Sequence, residues 1–133
     1  MKNRDIIHLF NQRVRFINKQ LNDRLQSHDL YHAQWSIMYY LYENGPKTQT
    51  EITNYFHVNP PTITRTVKRM EENGWVNRVV GKDRRQHYIE LTNDAMERYK
   101  EIEKIVADHE AEILSQLSEE EKELFHNILL KLG

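Results

Sequence analysis

Three cations, Arg65, Lys68 and Arg69, stand in the stretch NPPTITRTVKRMEENGW, residues 59–75, ahead of its first acidic residue, Glu71. Such side chains are donors only, so a group of them on one helix face matches phosphate oxygens and the O6 and N7 acceptors of guanine. Thr62 and Thr64 beside them can bond bases or phosphates and touch the methyl group of thymine. A second basic group follows in GKDRRQ, with Lys82, Asp83, Arg84 and Arg85. An arginine at a loop tip suits a narrow minor groove, where negative potential deepens, and Asp83 is expected to orient it through a charge-assisted bond.

Other chemistry finds little support. The chain has no cysteine, which excludes disulfides, thiolate zinc sites and iron–sulfur ligation. No nucleophile–base pairing, glycine-rich phosphate loop or H-E-x-x-H occurs, so an enzyme is not expected and no cofactor is implied. The best metal cluster is His28 with His32, joined from afar by His109 and Glu112. Because His28 precedes the expected start of a helix, its spacing to His32 does not place both on one face, and no metal ligands are assigned.

With 133 residues the chain is expected to be one domain, and 38% hydrophobic against 29% charged residues places it among folding rather than disordered sequences. The formal net charge of −1 hides an asymmetry. Residues 57–92 hold seven Lys and Arg against four Asp and Glu, whereas residues 93–133 hold five against eleven. Exposed charges separated by more than a Debye length of about 8 Å hardly interact, so the basic middle can attract a polyanion despite the acidic end. The charged N-terminal stretch has neither a signal-peptide core nor a membrane span, and a cytoplasmic protein without membrane contact is expected.

Residues 4–26 set Ile7, Phe10, Val14, Ile17 and Leu21 at alternating spacings of three and four, the seam of a helix that packs on another. About 22 residues at 1.5 Å each give a rod of roughly 33 Å, long for so small a core, which predicts that a second copy covers part of it. Asp29 is expected to cap a helix through Glu43, with Ala33, Ile37, Met38 and Leu41 inward and Gly45-Pro46 as its stop. Thr48 with Glu51 forms a capping box for a short helix bearing Ile52 and Phe56. Asn59 then caps the helix of the opening stretch, where Pro60 and Pro61 occupy a first turn that has no use for their missing N–H groups.

Ile63, Val67 and Met70 share one face of that helix, leaving Pro61, Thr64, Arg65 and Lys68 nearly opposite and Thr62, Thr66 and Arg69 on the flanks. The helix start is expected to add a partial positive charge toward phosphate. Asn73-Gly74 ends it, and WVNRVV and HYIELT read as two strands around the GKDRRQ loop. Thr92 is expected to cap a helix to about Leu117 carrying Met96, Tyr99, Ile102, Val106 and Ile113. Ser118 with Glu121 boxes a last helix bearing Leu124, Phe125, Ile128 and Leu132.

Two short helices joined by a tight turn, the second basic outward, match the helix-turn-helix, and the hairpin makes it winged. The stretches KTQTEITNYFHVNPPTITRTVKRMEENGWVNR and KDRRQHYIELT resemble the MarR (multiple antibiotic resistance regulator) family in order: T-x-x-E-L-A, T-V-T-R, L-E-x-x-G, then D-x-R before L-T. The resemblance spans nearly the whole chain. It implies a mainly α fold with a small β-hairpin wing: a winged helix-turn-helix lobe over 29–92, flanked by dimerisation helices at 1–28 and 93–133. It further implies a homodimeric repressor on a pseudo-palindromic operator in double-stranded DNA, Arg65 ending T-V-T-R and Asp83 and Arg85 forming the wing pair around Arg84.

His57 stands where the family commonly has glycine, Pro60-Pro61 where polar residues are usual, and Asp94 where glycine often follows L-T. Family likeness also implies a cleft for a small aromatic effector, for which His32, Trp35 and Tyr39 are the candidates among Tyr31, Met38 and Tyr42; ordinary core packing of these rings is the competing reading. A winged-helix protein-interaction module without DNA affinity and a metal-responsive regulator are the alternative functions.

Overall fold

The heptad-like seam at the start of the chain does form a long helix, and its burial changes along its length. In the computed structural model, which describes residues 1–83 and 85–133, α1 spans Asn3–Leu25. Leu21 and Leu25 are buried, Phe10 and Ile17 half-buried, and Ile7 and Val14 exposed. One end of the stripe is therefore in the core and the other is largely exposed. A 3-10 turn, Gln26–His28, leads to α2 (His32–Asn44), β1 (Lys47–Thr48), α3 (Gln49–Phe56), α4 (Pro60–Glu72), β2 (Val76–Val80), β3 (His87–Leu91), α5 (Asn93–Ile113) and α6 (Glu119–Lys131).

The expected caps are in place because each depends only on local geometry. Thr48, Asn59, Thr92 and Ser118 accept N–H bonds from Glu51, Thr62, Ala95 and Glu121 respectively. Asp29 differs: at φ 53° it closes the 3-10 turn, its N–H donating to the Gln26 carbonyl, and Tyr31 is the residue that precedes α2. Aspartate tolerates this left-handed conformation better than most residues. The later start explains why Ala33 is exposed and Gln34 buried, since the Gln34 side chain accepts the Tyr31 N–H at 3.1 Å. On α5, Ala95 rather than Met96 is buried four residues before Tyr99, and the helix ends at Ile113, short of Leu117. There Ser115 bonds the Glu112 carbonyl at 2.8 Å and tightens the last turn.

The two long strands form the expected antiparallel hairpin, in register Val80 with His87 and Val76 with Leu91. A third strand, β1, pairs only two residues with β3, Lys47 with Ile89 and Thr48 with Tyr88, giving the order β1-β3-β2. Around this sheet, Ile37, Met38, Leu41, Ile52, Ile63, Val67, Met70, Trp75 and Ile89 make the core that seats α2, α3 and α4. Leu21, Leu25, Leu30, Tyr99, Ile102 and Val106 extend it along α1 and α5. By contrast α6 buries nothing; Leu124, Phe125, Ile128, Leu129, Leu130 and Leu132 are all exposed. Among the described residues no helix is long and apolar enough to cross a membrane.

On the side of α5 turned toward α1 lies His109, only 1% exposed, and among the described residues neither ring nitrogen makes a well-formed hydrogen bond. Burial disfavours its charged form and the Arg24 guanidinium adds to this; the Ile17 backbone and the Glu110 and Glu112 carboxylates oppose it, but its pKa stays below the ordinary imidazole value. A pKa lowered by folding means that the unfolded chain binds the proton first as pH falls. The His109 contribution is thus intact above about pH 6.5 and is lost as pH drops toward the folded value. Thermal unfolding followed by circular dichroism should show the midpoint falling from pH 7.5 to 5.5, with a shallower slope in His109→Leu. An equal slope in the variant would place the acid sensitivity elsewhere.

Candidate nucleic-acid interface

Burial of Ile63, Val67 and Met70 at 4% or less fixes the rotation of α4. Pro61, Thr64, Arg65, Lys68 and Arg69 are consequently exposed, with Thr62 and Thr66 half-buried at the edges. The helix ends in a Schellman motif: the Trp75 N–H reaches the Met70 carbonyl at 2.8 Å and the Gly74 N–H the Glu71 carbonyl at 3.1 Å, with Gly74 at φ 81°. That turn sends the chain directly into β2 and the wing. The turn before α4 is equally defined, because His57 takes φ 53°, the left-handed conformation for which glycine is otherwise favoured.

The start of α4 departs from the expectation of a phosphate anchor. Pro60 and Pro61 carry no N–H, and the Thr62 N–H donates to Asn59 Oδ1 at 2.9 Å. The dipole remains, but the first turn offers no free backbone donor to an anion. Positive character therefore comes from Arg65, Lys68 and Arg69, of which Arg65 makes only a long bond, 3.4 Å, to the Thr62 hydroxyl.

Lys82, Asp83 and Arg85 are exposed at the wing, while Arg84 lies outside the described residues. Asp83 does not hold the Arg85 guanidinium; its Oδ1 accepts the Arg85 backbone N–H at 3.0 Å, and its carbonyl accepts the Gln86 N–H at 2.9 Å. A short aspartate side chain two residues away is better placed to close a turn than to reach the end of an arginine. Its work is to shape the loop.

Two residues that the sequence did not single out, Gln49 and Arg78, tie these parts together. Gln49, at the start of α3, donates through Nε2 to the Thr64 hydroxyl at 2.6 Å. Arg78 on β2 donates to Gln49 Oε1 at 3.3 Å and to Glu71 at 2.7 Å. Gln49, Arg78 and Arg85 also line one surface groove between α3 and the wing. The basic wing and the outward face of α4 consequently lie on the same side of the molecule.

The aromatic candidates divide. Trp35 and Tyr39 line a cavity of about 270 Å³ with Glu103, Val106, Ala107 and Glu110, between α2 and α5. Much of their neighbourhood is packing: Trp35 stacks on Tyr99 at 5.4 Å, Tyr42 stacks on Tyr99 at 3.7 Å, and Met38 is fully buried. Burial, with Glu103 and Glu43 nearby, raises the Tyr99 phenol above its ordinary range and keeps it protonated. His32 is not in this cavity. Its backbone N–H donates to Asn22 Oδ1 at 2.7 Å, its ring Nδ1 lies 3.1 Å from the same atom, and burial lowers its pKa.

His28 Nδ1 sits 2.9 Å from an Arg98 nitrogen, and among the described residues no three His, Cys, Asp or Glu side chains group to hold a metal.

The MarR family model matches residues 30–87, which run from just before α2 through α3, the turn, α4 and β2 to the first residue of β3. YwoH of Bacillus subtilis (strain 168), described as an uncharacterized HTH-type transcriptional regulator, is 44% identical over 126 residues, spanning 95% of this chain and 92% of its own. The chain belongs to the MarR family. It is thus a winged helix-turn-helix transcriptional regulator. The fold agrees with a mutant MarR from E. coli complexed with operator DNA, at TM-score 0.88 and 22% identity over 96% of this chain and 92% of that one. A MepR–DNA complex from S. aureus matches at TM-score 0.82 and 25% identity, over 92% and 90%.

Within this MarR-family lobe, the Asn59 cap holds the one backbone N–H that the prolines leave in the first turn. Asn59→Ala should lower unfolding free energy by about 0.5–2 kcal/mol in urea titration. No change would mean that the two prolines set the helix start unaided.

Proposed function

We propose that the chain is a homodimeric repressor that lays α4 of each subunit in the major groove and the wing in the adjacent minor groove of a pseudo-palindromic operator. The observation that supports this is the run of contacts from Thr64 on the outward face of α4, through Gln49 and Arg78, to the groove that Arg85 lines at the wing. Residues 29–92 form the DNA-binding lobe in this reading, with Pro61, Thr62, Thr64, Arg65, Lys68 and Arg69 on α4 and Lys82, Asp83, Arg84 and Arg85 at the wing. Asp83 contributes by shaping the loop. Electrostatic attraction is local, because the acidic surplus lies in residues 93–133.

The second copy is supported by apolar surface that the described residues leave exposed. Ile6, Ile7, Leu9 and Phe16 at the start of α1, and Leu124, Phe125, Ile128 and Leu129 on α6, are each about 40% exposed or more. Surface of this kind on two helices from opposite ends of the chain is the mark of an obligate interface. A two-fold dimer would present two α4 helices to successive major grooves, which are about 34 Å apart. An effector seated in the cavity that Trp35 and Tyr39 of α2 line with Val106 and Ala107 of α5 would press α2 away from α5 and alter that separation, releasing the operator. The cavity of about 270 Å³ fits a compound of one or two rings.

Footprinting on the protein's own upstream region at two salt concentrations tests the reading. A protected site whose affinity falls steeply with salt is expected, because neutralised phosphates release counterions. Absence of protection, or indifference to salt, favours the protein-interaction alternative. Arg65→Ala should cost roughly 1–3 kcal/mol and relax preference at one position of the half-site. Arg85→Ala should weaken binding across sequences and lessen the salt slope by about 1 for each phosphate that is no longer neutralised. Ile128→Asp should move the protein to monomer in sedimentation velocity and remove operator binding with it; a dimer that persists would place the interface elsewhere.

A further inference from the structure

The leading end of α4 has its hydrogen-bond donors already engaged. Pro60 and Pro61 have none, and Asn59 holds the Thr62 N–H. A threonine hydroxyl has one proton to give. Thr62 gives its proton to Asn59 Oδ1 at 2.6 Å, Thr64 to the Pro60 carbonyl at 2.9 Å, and Thr66 to the Thr62 carbonyl at 2.9 Å. The Thr64 oxygen also accepts the Gln49 amide at 2.6 Å, and Arg78 holds the other end of that amide. Thr64 is thus fixed from its own helix and from α3. What remains available to a partner is chiefly its methyl group, beside the exposed Pro61 ring.

Base edges in the major groove differ in what they ask of such a surface. Guanine presents two acceptors, adenine and cytosine present amino donors, and thymine presents a methyl group. A surface without free donors leaves guanine O6 and N7 unsatisfied on burial, which is unfavourable, whereas the thymine methyl gains from apolar contact. We propose that the first turn of α4 selects thymine, by contact of its 5-methyl group with Pro61 and the Thr64 methyl, while Arg65 and Lys68 beyond it donate to guanine. Gln49 is the positioning residue. It holds the Thr64 rotamer, and Arg78 on Glu71 holds Gln49. This rests on the DNA-binding reading above and names the base class that one part of the interface takes.

The test uses the protected duplex from the upstream region, with each thymine of a half-site replaced singly by deoxyuridine, which differs only in lacking the methyl. Wild-type protein should bind about fourfold more weakly for the missing methyl at one or two of these positions, next to the guanines whose change Arg65→Ala tolerates. Thr64→Val removes the hydroxyl but keeps the methyl, which its β-branch holds in one helical rotamer without Gln49; it should retain affinity within about twofold and still distinguish thymine from deoxyuridine. Thr64→Ser keeps the hydroxyl and removes the methyl, so it should distinguish the two duplexes less than wild type does, keeping only the share that Pro61 supplies. Gln49→Ala should lessen the discrimination while leaving the guanine preference intact. Equal wild-type binding at every substituted position, in a site that is protected and salt-sensitive, overturns the methyl contact and leaves the DNA reading standing. Discrimination kept by Thr64→Ser and abolished by Thr64→Val would assign the contact to the hydroxyl and also overturn it. If no salt-sensitive site exists, both readings fall together.

Discussion

The seating of Ile63, Val67 and Met70 in the core is the constraint from which the interface follows. These side chains fall at i, i+4 and i+7, so burying all three leaves α4 a single rotation about its axis. Each contributes on the order of 1.5–3 kcal/mol by burial, far more than the few tenths available from exposed charge pairs such as Arg78 with Glu71. Apolar packing therefore decides which residues face outward, and the cations inherit their direction from it. The Schellman turn at Gly74 carries the same alignment into β2, so the wing is set by the end of the helix that it flanks.

Hydrogen bonding then refines what that outward face can say. In the absence of the two prolines, the start of α4 would hold free N–H groups suited to any phosphate. With them, and with the threonine hydroxyls bonded inward, the first turn is apolar and the charged donors begin at Arg65. Gln49 and Arg78 add rigidity from outside the helix, at the expense of their own freedom to meet DNA. The outward face of α4 is in this sense graded, from methyl and ring surface at its start to guanidinium and ammonium groups one turn later.

Elements with local determinants were readable from the sequence. The caps at Thr48, Asn59, Thr92 and Ser118, the stop at Asn73-Gly74, the hairpin and the phase of α4 each depend on residues within one or two turns of each other. What was not readable depends on pairs distant in sequence. The Gln49–Thr64 bond spans 15 residues and the Arg78–Gln49 bond spans 29, and nothing in the local pattern around Gln49 marks it. The short strand β1 exists only because β3 offers it an edge. Asp29 and Met96 differ for smaller reasons: a left-handed residue ending one helix resembles a cap for the next, and a spacing of three competes with one of four. Trp35 and Tyr39 do meet at a cavity, but His32 turns to Asn22, which α1 alone supplies.

The central claim is that the rotation of α4 fixed by its buried face delivers its cations to major-groove base edges on both halves of an operator. Methylation interference measures this directly, since a methyl group at guanine N7 blocks the major groove and one at adenine N3 blocks the minor groove. Loss of binding is predicted on N7 methylation at guanines in two segments about one helical turn apart, with N3 effects confined to the adjacent wing positions. Binding that persists with every guanine N7 methylated, or interference at adenine N3 alone, would contradict it.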